Sequence, residues 1–308
     1  MRFQRPGSIM LISAISEALM IIEAYAKINW SLDITGVRED GYHLMDMIMQ
    51  PVSLCDEVSL TPAPSLSITT GGWPPSRADG TNLAYRAALA LKNETGYPHG
   101  VQIHVQKRIP IGAGMGGGST DAAAVLLGLN RMWNMRLSVE DLERIGLSLG
   151  ADVPFFLRGG LTRTRGIGEI IENHDCQHNY WLVVIQPCPG LSTAQVFSLW
   201  HRNQAARRPD TEKALHALEA GNLAVLCSQI GNVLQPVSES LRPEIASACS
   251  DLSGQNAVFA GMTGSGSAVF GVFFSSSAAE KAYRKLSRTY KTVFLCHTQH
   301  DSIRIREE

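Results

Sequence analysis

Alternating apolar and polar residues dominate the first third of this 308-residue chain and predict long β-strands. The run at 21–35 alternates in the manner of a half-buried strand and ends in a turn at Gly36. Residues 45–60 and 101–106 predict two further strands. The segment 62–80 is rich in proline and glycine, and we predict a surface hairpin or loop without evident chemistry there.

Helical spacing of apolar residues is found between and after these strands. In the first half of the chain it predicts helices at 82–92, 119–133 and 138–149. The second half carries further helical patterns, which lie at 211–220, 222–233, 239–250 and 277–290. Short apolar runs between them predict additional strands, so the chain mixes strands and helices throughout.

A glycine-rich stretch at 110–121, with the sequence PIGAGMGGGSTD, is the most distinctive segment of the chain. It places five glycines within the seven positions 112–118. Glycine lets the backbone adopt positive φ and approach a ligand closely, so such a run can direct several N–H groups into one concavity. A predicted helix follows, with Ser119 or Thr120 available as its N-cap. Because the loop leads into a helix N-terminus, we predict a phosphate site there.

Three known nucleotide-binding signatures do not fit this stretch. A Walker loop needs lysine after its last glycine, whereas Gly118 is followed by Ser119. The glycines satisfy G-x-G-x-x-G, but a proline precedes the loop and two helical patterns follow it, unlike the strands of a dinucleotide fold. The H-R-D and D-F-G tripeptides of protein kinases do not occur. A glycine-rich turn without a ligand is the alternative.

Length and composition favour a folded enzyme. A chain of 308 residues exceeds what one hydrophobic core usually serves, so two domains are expected. Hydrophobic residues make up 44% and charged residues 18%, which favours a large core. A net charge of −1 gives no bulk attraction to nucleic acid or to an anionic membrane, and we expect neither as a partner. The six cysteines form no C-x-x-C pair, so we expect free thiols and a cytoplasmic location.

The first 20 residues form an N-terminal extension to the patterned chain. Arg2 and Arg5 precede an apolar run at 9–15, which loosely resembles a secretory signal, but no clean small-x-small cleavage site follows. The run is too short to span a membrane. We expect residues 1–20 to be a leader, or to precede a true start at Met20, and to be dispensable for folding and activity.

Three segments resemble the motifs of the GHMP kinase superfamily. Residues 26–29 read AKIN, like its first motif. Residues 110–124 read PIGAGMGGGSTDAAA, like its second motif, whose loop cradles the phosphates of ATP. Residues 261–267 read GMTGSGS, like its third motif. The motifs occur in the family's order, and the similarity covers residues 21 to about 300.

The resemblance implies a two-domain α+β GHMP kinase fold with the active site in the interdomain cleft. An N-terminal ATP-binding domain would span 21–175 and a C-terminal domain 176–308. The form GGGST followed by aspartate resembles the branch that phosphorylates a cytidine-diphosphate-linked methylerythritol in the non-mevalonate isoprenoid route. ATP is then the co-substrate, Mg²⁺ is expected with it, and the 2-hydroxyl group of the small-molecule substrate is the acceptor.

The resemblance also implies roles for individual residues. Asp152, in the segment GADVP, would accept or orient the hydroxyl proton, and Lys27 would keep that carboxylate ionised and stabilise the developing charge. The residues alone also allow Lys27 to be a solvated edge charge on a strand and Asp152 to be a helix N-cap. The implied nucleotide-binding residues are Pro110, Ile111, Gly112, Ala113, Gly114, Met115, Gly116, Gly117, Gly118, Ser119, Thr120, Asn82 and Lys107.

The implied substrate contacts lie in three separate segments. Tyr42 would stack on cytosine and His43 would hydrogen-bond the base, although their D-G-Y-H context is also a plain turn signal. Asn29 and Thr193 would contact the substrate. Phe197 would form the second wall of the cytosine site, with ordinary helix burial as the alternative.

Two other classes are compatible with parts of the sequence. Another GHMP kinase, of the homoserine or mevalonate type, would keep the glycine loops but lack the cytosine site. A non-catalytic nucleotide-binding member would lose the catalytic lysine or aspartate, and both are present. No carboxylate pair marks the metal ligands, which stay unknown with Ser119 and Thr120 as candidates, and the oligomeric state is left open.

Overall fold

The computed structural model describes residues 19–201 and 208–306, which form two β-sheets with helices packed on them. The strands are β1 (Met20–Val37), β2 (His43–Ala63), β3 (Ser67–Gly72), β4 (Gly100–Lys107), β5 (Leu161–Gly166), β6 (Ile170–His174), β7 (Trp181–Ile185), β8 (Gly231–Asn232), β9 (Phe259–Met262), β10 (Val269–Phe273), β11 (Val293–His297) and β12 (Ile303–Ile305). The helices are α1 (Leu83–Thr95), α2 (Gly117–Met132), α3 (Val139–Leu147), α4 (Val153–Arg158), α5 (Thr193–Leu199), α6 (Thr211–Glu219), α7 (Leu223–Gln229), α8 (Gln235–Leu241), α9 (Glu244–Ser253) and α10 (Ser276–Leu286). The α+β prediction is confirmed.

The larger sheet is organised around the antiparallel pair β1 and β2. The pair extends from Met20 opposite Leu60 to Val37 opposite His43. The strand order is β12-β1-β2-β4-β3, with β5 and β6 branching from β2, and β8 pairing with β1. Two neighbours of β1, namely β8 and β12, come from the last third of the chain. The sheet therefore joins distant parts of the sequence.

The smaller sheet has the order β11-β7-β10-β9, and all its pairs are antiparallel. Trp30 in β1 connects it to the larger sheet. This side chain is 1% exposed, and its ring lies 5.3 Å from the ring of Tyr180 and 5.9 Å from that of Phe270. The predicted domain boundary between 175 and 176 stays a prediction.

Helix α2 packs closely on the larger sheet and so positions the glycine-rich segment that precedes it. Residues 122–126 of the helix are fully buried. A Cβ at Gly128 would come within 2.5 Å of Cδ1 of Ile22 and 2.6 Å of Cδ1 of Leu60, so glycine allows this close approach.

The start of α2 differs from the prediction. The helix begins at Gly117, and Gly116 occupies the N-cap position in the left-handed conformation. The prediction of Ser119 or Thr120 as N-cap is therefore wrong. The reason is that glycine at 116 turns the chain into the helix before any hydroxyl side chain is reached. Helix α3 begins with a capping box, because the Ser138 side chain accepts the Asp141 N–H and the Asp141 side chain accepts the Ser138 N–H.

Two other element predictions need correction. The segment 62–80 contains the strand β3, which pairs parallel to β4, and is more than a surface loop. The helix predicted at 239–250 is two helices, α8 and α9, that meet at Pro243. Proline lacks the N–H that would continue the first helix.

The predicted N-terminal extension falls almost entirely outside the described residues, which begin at 19. Strand β1 starts at Met20, and Met20 pairs with Leu60, so the last residue of the extension belongs to the sheet. The dispensability of residues 1–20 stays a prediction. Within the described ranges, no helix combines the length and apolar character needed to cross a membrane.

Candidate active site

A cleft of about 710 Å³ opens along the glycine-rich loop, residues 110–118. All these residues line it, together with Asn82, Lys107, Asp152 and Thr193. The structure therefore brings most residues that were predicted to bind nucleotide next to the predicted catalytic aspartate.

Three glycines with positive φ shape the loop: Gly112 (66°), Gly114 (79°) and Gly116 (75°). A side chain at Gly114 would overlap the main-chain oxygen of Thr263, and one at Gly116 would overlap the ring of Phe156. The loop backbone is thus in direct contact with neighbouring elements on its protein side. Only glycine fits both the dihedral angles and this spacing.

The loop ends at the start of a helix, whose first N–H groups have no acceptor within the helix. The first hydrogen bond into α2 runs from the Thr120 N–H to the Gly116 carbonyl, at 2.9 Å. The N–H groups of Gly117, Gly118 and Ser119 precede this bond, and these three residues line the cleft. Such a helix start binds anions. Thr120 is buried and does not line the cleft.

Lys27 and Asn29 lie on one face of β1 and contact each other. Lys27 Nζ donates to Asn29 Oδ1 at 2.5 Å, and the same oxygen accepts the Gly264 N–H at 3.0 Å. The Asn29 N–H donates to Thr263 Oγ1 at 3.0 Å, and the Lys27 N–H donates to the Met115 carbonyl at 3.0 Å. Strand β1 is therefore bonded to both glycine-containing loops.

The environments of Lys27 and Asp152 bear on the alternatives left open for them. Lys27 is only 4% exposed, so it is not a solvated edge charge. Burial lowers the pKa of Lys27, and the carboxylate of Asp152 opposes that shift. Asp152 precedes α4, but its side chain makes no capping hydrogen bond and it lines the cleft. Asp152 thus occupies the N-cap position of α4, but its carboxylate does not cap the helix.

Lys107 is held by two carboxylates beneath the loop. Its Nζ donates to Asp121 Oδ2 at 2.7 Å and to Asp56 Oδ2, and all three side chains are at most 5% exposed. Burial raises the pKa of Asp121 to about 7, against the effect of the Lys107 ammonium. Sequence reasoning missed Asp56 because no motif surrounds it, and it gave Asp121 no role of its own.

Aromatic side chains from two distant segments meet near the end of α5. The ring of His43 lies 5.3 Å from that of Phe197 and 5.8 Å from that of Trp200. Tyr42 is 59% exposed, and its ring faces the guanidinium group of Arg38 at 5.4 Å. Within the described chain Tyr42 makes no ring contact with Phe197, so their rings do not pack against each other. Trp200 was missed because it lies outside the segment that resembles the family.

Thr193 begins α5 beside the third-motif loop, residues 261–267. Its hydroxyl lies 2.9 Å from the hydroxyl of Ser265, and Thr193 also lines the cleft. The segment 75–77, which was predicted to have no chemistry, lines the same cleft and contributes Arg77. Charge in a proline-rich loop gives little indication of its place in the fold, so this contribution was missed.

Comparisons with known proteins agree with this geometry. The family model for the GHMP kinases N terminal domain matches residues 82–160, and the model for GHMP kinases C terminal matches residues 213–292. The chain is 40% identical over 277 residues to the 4-diphosphocytidyl-2-C-methyl-D-erythritol kinase of Alkaliphilus metalliredigens. The aligned region covers 89% of this chain and 94% of that protein.

Solved structures extend the similarity to the fold. A crystal structure of 4-(cytidine 5'-diphospho)-2C-methyl-D-erythritol kinase is 33% identical, covers 91% of this chain and 99% of its own, and has a TM-score of 0.78. A homoserine kinase from Cytophaga hutchinsonii is 16% identical, covers 99% of this chain and 100% of its own, and shares the fold with a TM-score of 0.72. The chain belongs to the GHMP kinase family and, within it, to the 4-diphosphocytidyl-2-C-methyl-D-erythritol kinases.

Proposed function

We propose that this protein transfers the γ-phosphoryl group of ATP to the 2-hydroxyl group of 4-diphosphocytidyl-2-C-methyl-D-erythritol, in non-mevalonate isoprenoid precursor biosynthesis. The family supplies ATP as co-substrate and a small molecule as acceptor. The observation that carries the proposal is the position of Asp152, whose carboxylate makes no capping bond and lines the same cleft as the start of α2. A proton acceptor and an anion site then share one cleft.

Phosphoryl transfer needs alignment and charge stabilisation more than covalent catalysis. In the proposed reaction, Asp152 accepts or orients the proton of the acceptor hydroxyl. The N–H groups at the start of α2 bind phosphate oxygens, and the Lys27 ammonium stabilises the charge that develops as the hydroxyl attacks. The hydrogen bond from Lys27 to Asn29 supports this role because it fixes the direction of the lysine side chain.

The proposed cytidine site involves the aromatic side chains near α5. His43 and Phe197 lie next to each other, which supports a common role in binding the base. The exposed ring of Tyr42 is available to stack on cytosine, and Phe197 would form the opposite wall. Asn29 and Thr193 remain our proposed contacts to the rest of the substrate, with Thr193 in the lining of the cleft.

The cleft also offers oxygen atoms suited to the Mg²⁺ that we expect with ATP. In the described chain Asp121 Oδ1 is buried without a hydrogen-bond partner, and Asp121 and Ser119 both line the cleft. These two residues would hold the ion, which would neutralise phosphate charge. Mg²⁺ is usually bound by one or two carboxylates together with substrate phosphates and water. Thr120, the other candidate hydroxyl, does not line the cleft.

We further propose that the enzyme acts in the cytoplasm without nucleic-acid or membrane partners. The six cysteines are all free thiols, which supports a reducing compartment. The net charge of −1 gives no general attraction to polyanions.

The proposal is tested by incubating the purified protein with Mg²⁺, ATP and one acceptor at a time. The acceptors are 4-diphosphocytidyl-2-C-methyl-D-erythritol, homoserine and mevalonate, and ADP release and the ³¹P spectrum of the product are recorded. We expect a new phosphomonoester only with the cytidylyl substrate, and its formation should be at least about 100-fold slower with Asp152→Asn at matched protein concentration. Phosphorylation of homoserine or mevalonate in its place would assign the protein to another kinase class. ATP binding without any phosphorylation would indicate a non-catalytic member.

A further inference from the structure

Asp56 connects the two ends of the glycine-rich loop. Its Oδ1 accepts the N–H groups of Arg108, at 2.5 Å, and Ile109, at 2.9 Å, where the chain leaves β4. Its Oδ2 accepts a hydrogen bond from Lys107, which also donates to Asp121 in α2 at 2.7 Å. One carboxylate thus fixes the main chain that enters the loop and, through one ammonium group, the helix that follows it.

The Lys107 ammonium lies under the junction of loop and helix. A Cβ at Gly117 would come within 3.3 Å of Lys107 Nζ, so the ammonium group lies close to the main chain of Gly117. Lys107 is 4% exposed, although it lines the cleft. Because both of its carboxylate partners are buried, its charge is compensated within the protein and is not directed wholly at a ligand.

We infer that Asp56 is a positioning residue for ATP binding, which holds the glycine-rich loop in one conformation through Lys107 and Asp121. The inference rests on the proposed function, since it assumes that this loop binds ATP. Glycine-rich backbone loses much conformational entropy when it is ordered. Hydrogen bonds to ionised groups are the stronger kind, and Asp56 and Lys107 place four of them at the two ends of the loop.

A control variant on the same strand distinguishes a positioning role of Asp56 from a purely stabilising one. Asp46 also lies in β2 and pairs with Arg163, through contacts of 2.9 and 2.8 Å. Its carboxylate does not line the cleft and makes no contact with the loop. Asp46→Asn and Asp56→Asn therefore each remove one paired carboxylate charge from β2, but only the second affects the loop.

The test measures the Kd of ATP by calorimetry, without acceptor, and amide hydrogen exchange over 108–117. We expect Asp56→Asn to weaken ATP binding about tenfold, the scale of one lost hydrogen bond to a charged group, and to speed exchange in this segment. Asp46→Asn should leave both quantities at their wild-type values. The KM of the acceptor substrate should also be unchanged in Asp56→Asn.

Each result has one meaning. A wild-type protein that does not bind ATP would refute the proposed function itself. A wild-type protein that binds ATP, with Asp56→Asn unchanged or with both variants equally weakened, would refute the positioning role. If Asp56→Asn does not fold, Asp121→Asn, which weakens the link from Lys107 to α2, is judged by the same two measurements in EDTA, so that the proposed contact of Asp121 to Mg²⁺ plays no part.

Discussion

Among single residues, Asp152 and Lys27 have complementary environments. The Asp152 side chain makes no capping bond, whereas the Lys27 ammonium is buried and directed at Asn29. Asp152→Asn keeps the shape of the side chain but removes its negative charge. We expect ATP binding to survive while turnover falls by about 10²–10⁴-fold, the range for a lost general base. Single-turnover rates and ATP affinity measure the two effects separately.

Lys27→Met tests whether the two residues work as one unit. It deletes the charge and keeps the apolar stem, so a similar loss of turnover is expected. Because both side chains act on the same proton and the same developing charge, the double variant should be far less impaired than the product of the single losses. Fully multiplicative losses would show independent roles, and near-normal turnover in Asp152→Asn would exclude Asp152 as the base.

Tyr42 is the exposed member of the proposed cytosine site. Tyr42 is 59% exposed and its ring faces Arg38, so Tyr42→Ala removes little packing from the free protein. We expect it to raise the KM of the cytidylyl substrate about tenfold or more, because stacking on a base contributes about 1–3 kcal/mol. The KM of ATP is the control and should not change. An equal rise in both constants would mean that Tyr42 supports the structure and does not select the base.

The sequence identified a site residue only where that residue lies within a recognisable motif. The positions of Lys27, Asn29 and Asp152 follow from short segments that resemble a family. Asp56 and Trp200 lie outside such segments, and each reaches the site through a partner that is distant in sequence. Spacing along the chain contains no signal for such contacts, and only the folded arrangement reveals them.

At the scale of elements, the first turns of α2 carry a buried carboxylate, Asp121, whose protonation depends on pH. The pKa of Asp121 is raised by burial to about 7, whereas an aspartate in an unfolded chain titrates near 3.9. Between about pH 4 and pH 7, Asp121 therefore binds its proton more tightly in the native state than in the unfolded state. The contribution of Asp121 to stability is full below about pH 4 and is lost as the pH rises through about 7.

The corresponding measurement is chemical denaturation of the wild type and Asp121→Asn between pH 5 and 8. The stability of the wild type relative to the variant should decrease as the pH rises, because the amide side chain of the variant does not titrate. Lys107 and Asp56, which contact Asp121 and share the buried site, are unchanged in both proteins. A difference that is independent of pH would contradict the raised pKa.

The element predictions were correct where a periodic pattern extended over many residues. They were wrong where a single residue determined where an element begins or ends. The alternation in β1 and β2 gave their type correctly. The start of α2 was misplaced because Gly116 adopts a left-handed conformation, which a preference for hydroxyl caps does not anticipate. The predicted helix at 239–250 was divided by Pro243, and β3 was hidden in a proline- and glycine-rich segment.

At the scale of the whole molecule, the described fold starts almost where the motifs start. Met20 is the first residue of β1 and pairs with Leu60. A chain that begins at Met20 is therefore expected to fold and to keep its activity. Thermal unfolding and turnover, compared with those of the full chain, are the measurements. A large loss of either would show that residues 1–19 contribute to the enzyme.

The two-domain α+β fold could be predicted from length and resemblance, but the arrangement of the sheets could not. The pairing of β1 with β8 and β12 joins residues about 200 and 280 positions apart. Each pairing involves only two or three residues on the later strand. Strands this short have no readable period, so sequence patterns do not reveal them.

The attachment of β12 to β1 also bears on how the enzyme is made. Strand β1, which carries Lys27, emerges early from the ribosome. Its residues 22–24 pair with residues 303–305, so this edge of β1 stays unpaired until β12 has been synthesised. During synthesis an unpaired, largely apolar edge of β1 is open to association with other nascent chains. We therefore expect the newly made protein to depend on chaperones until β12 is released, and a chain interrupted between β11 and β12 to be prone to aggregation.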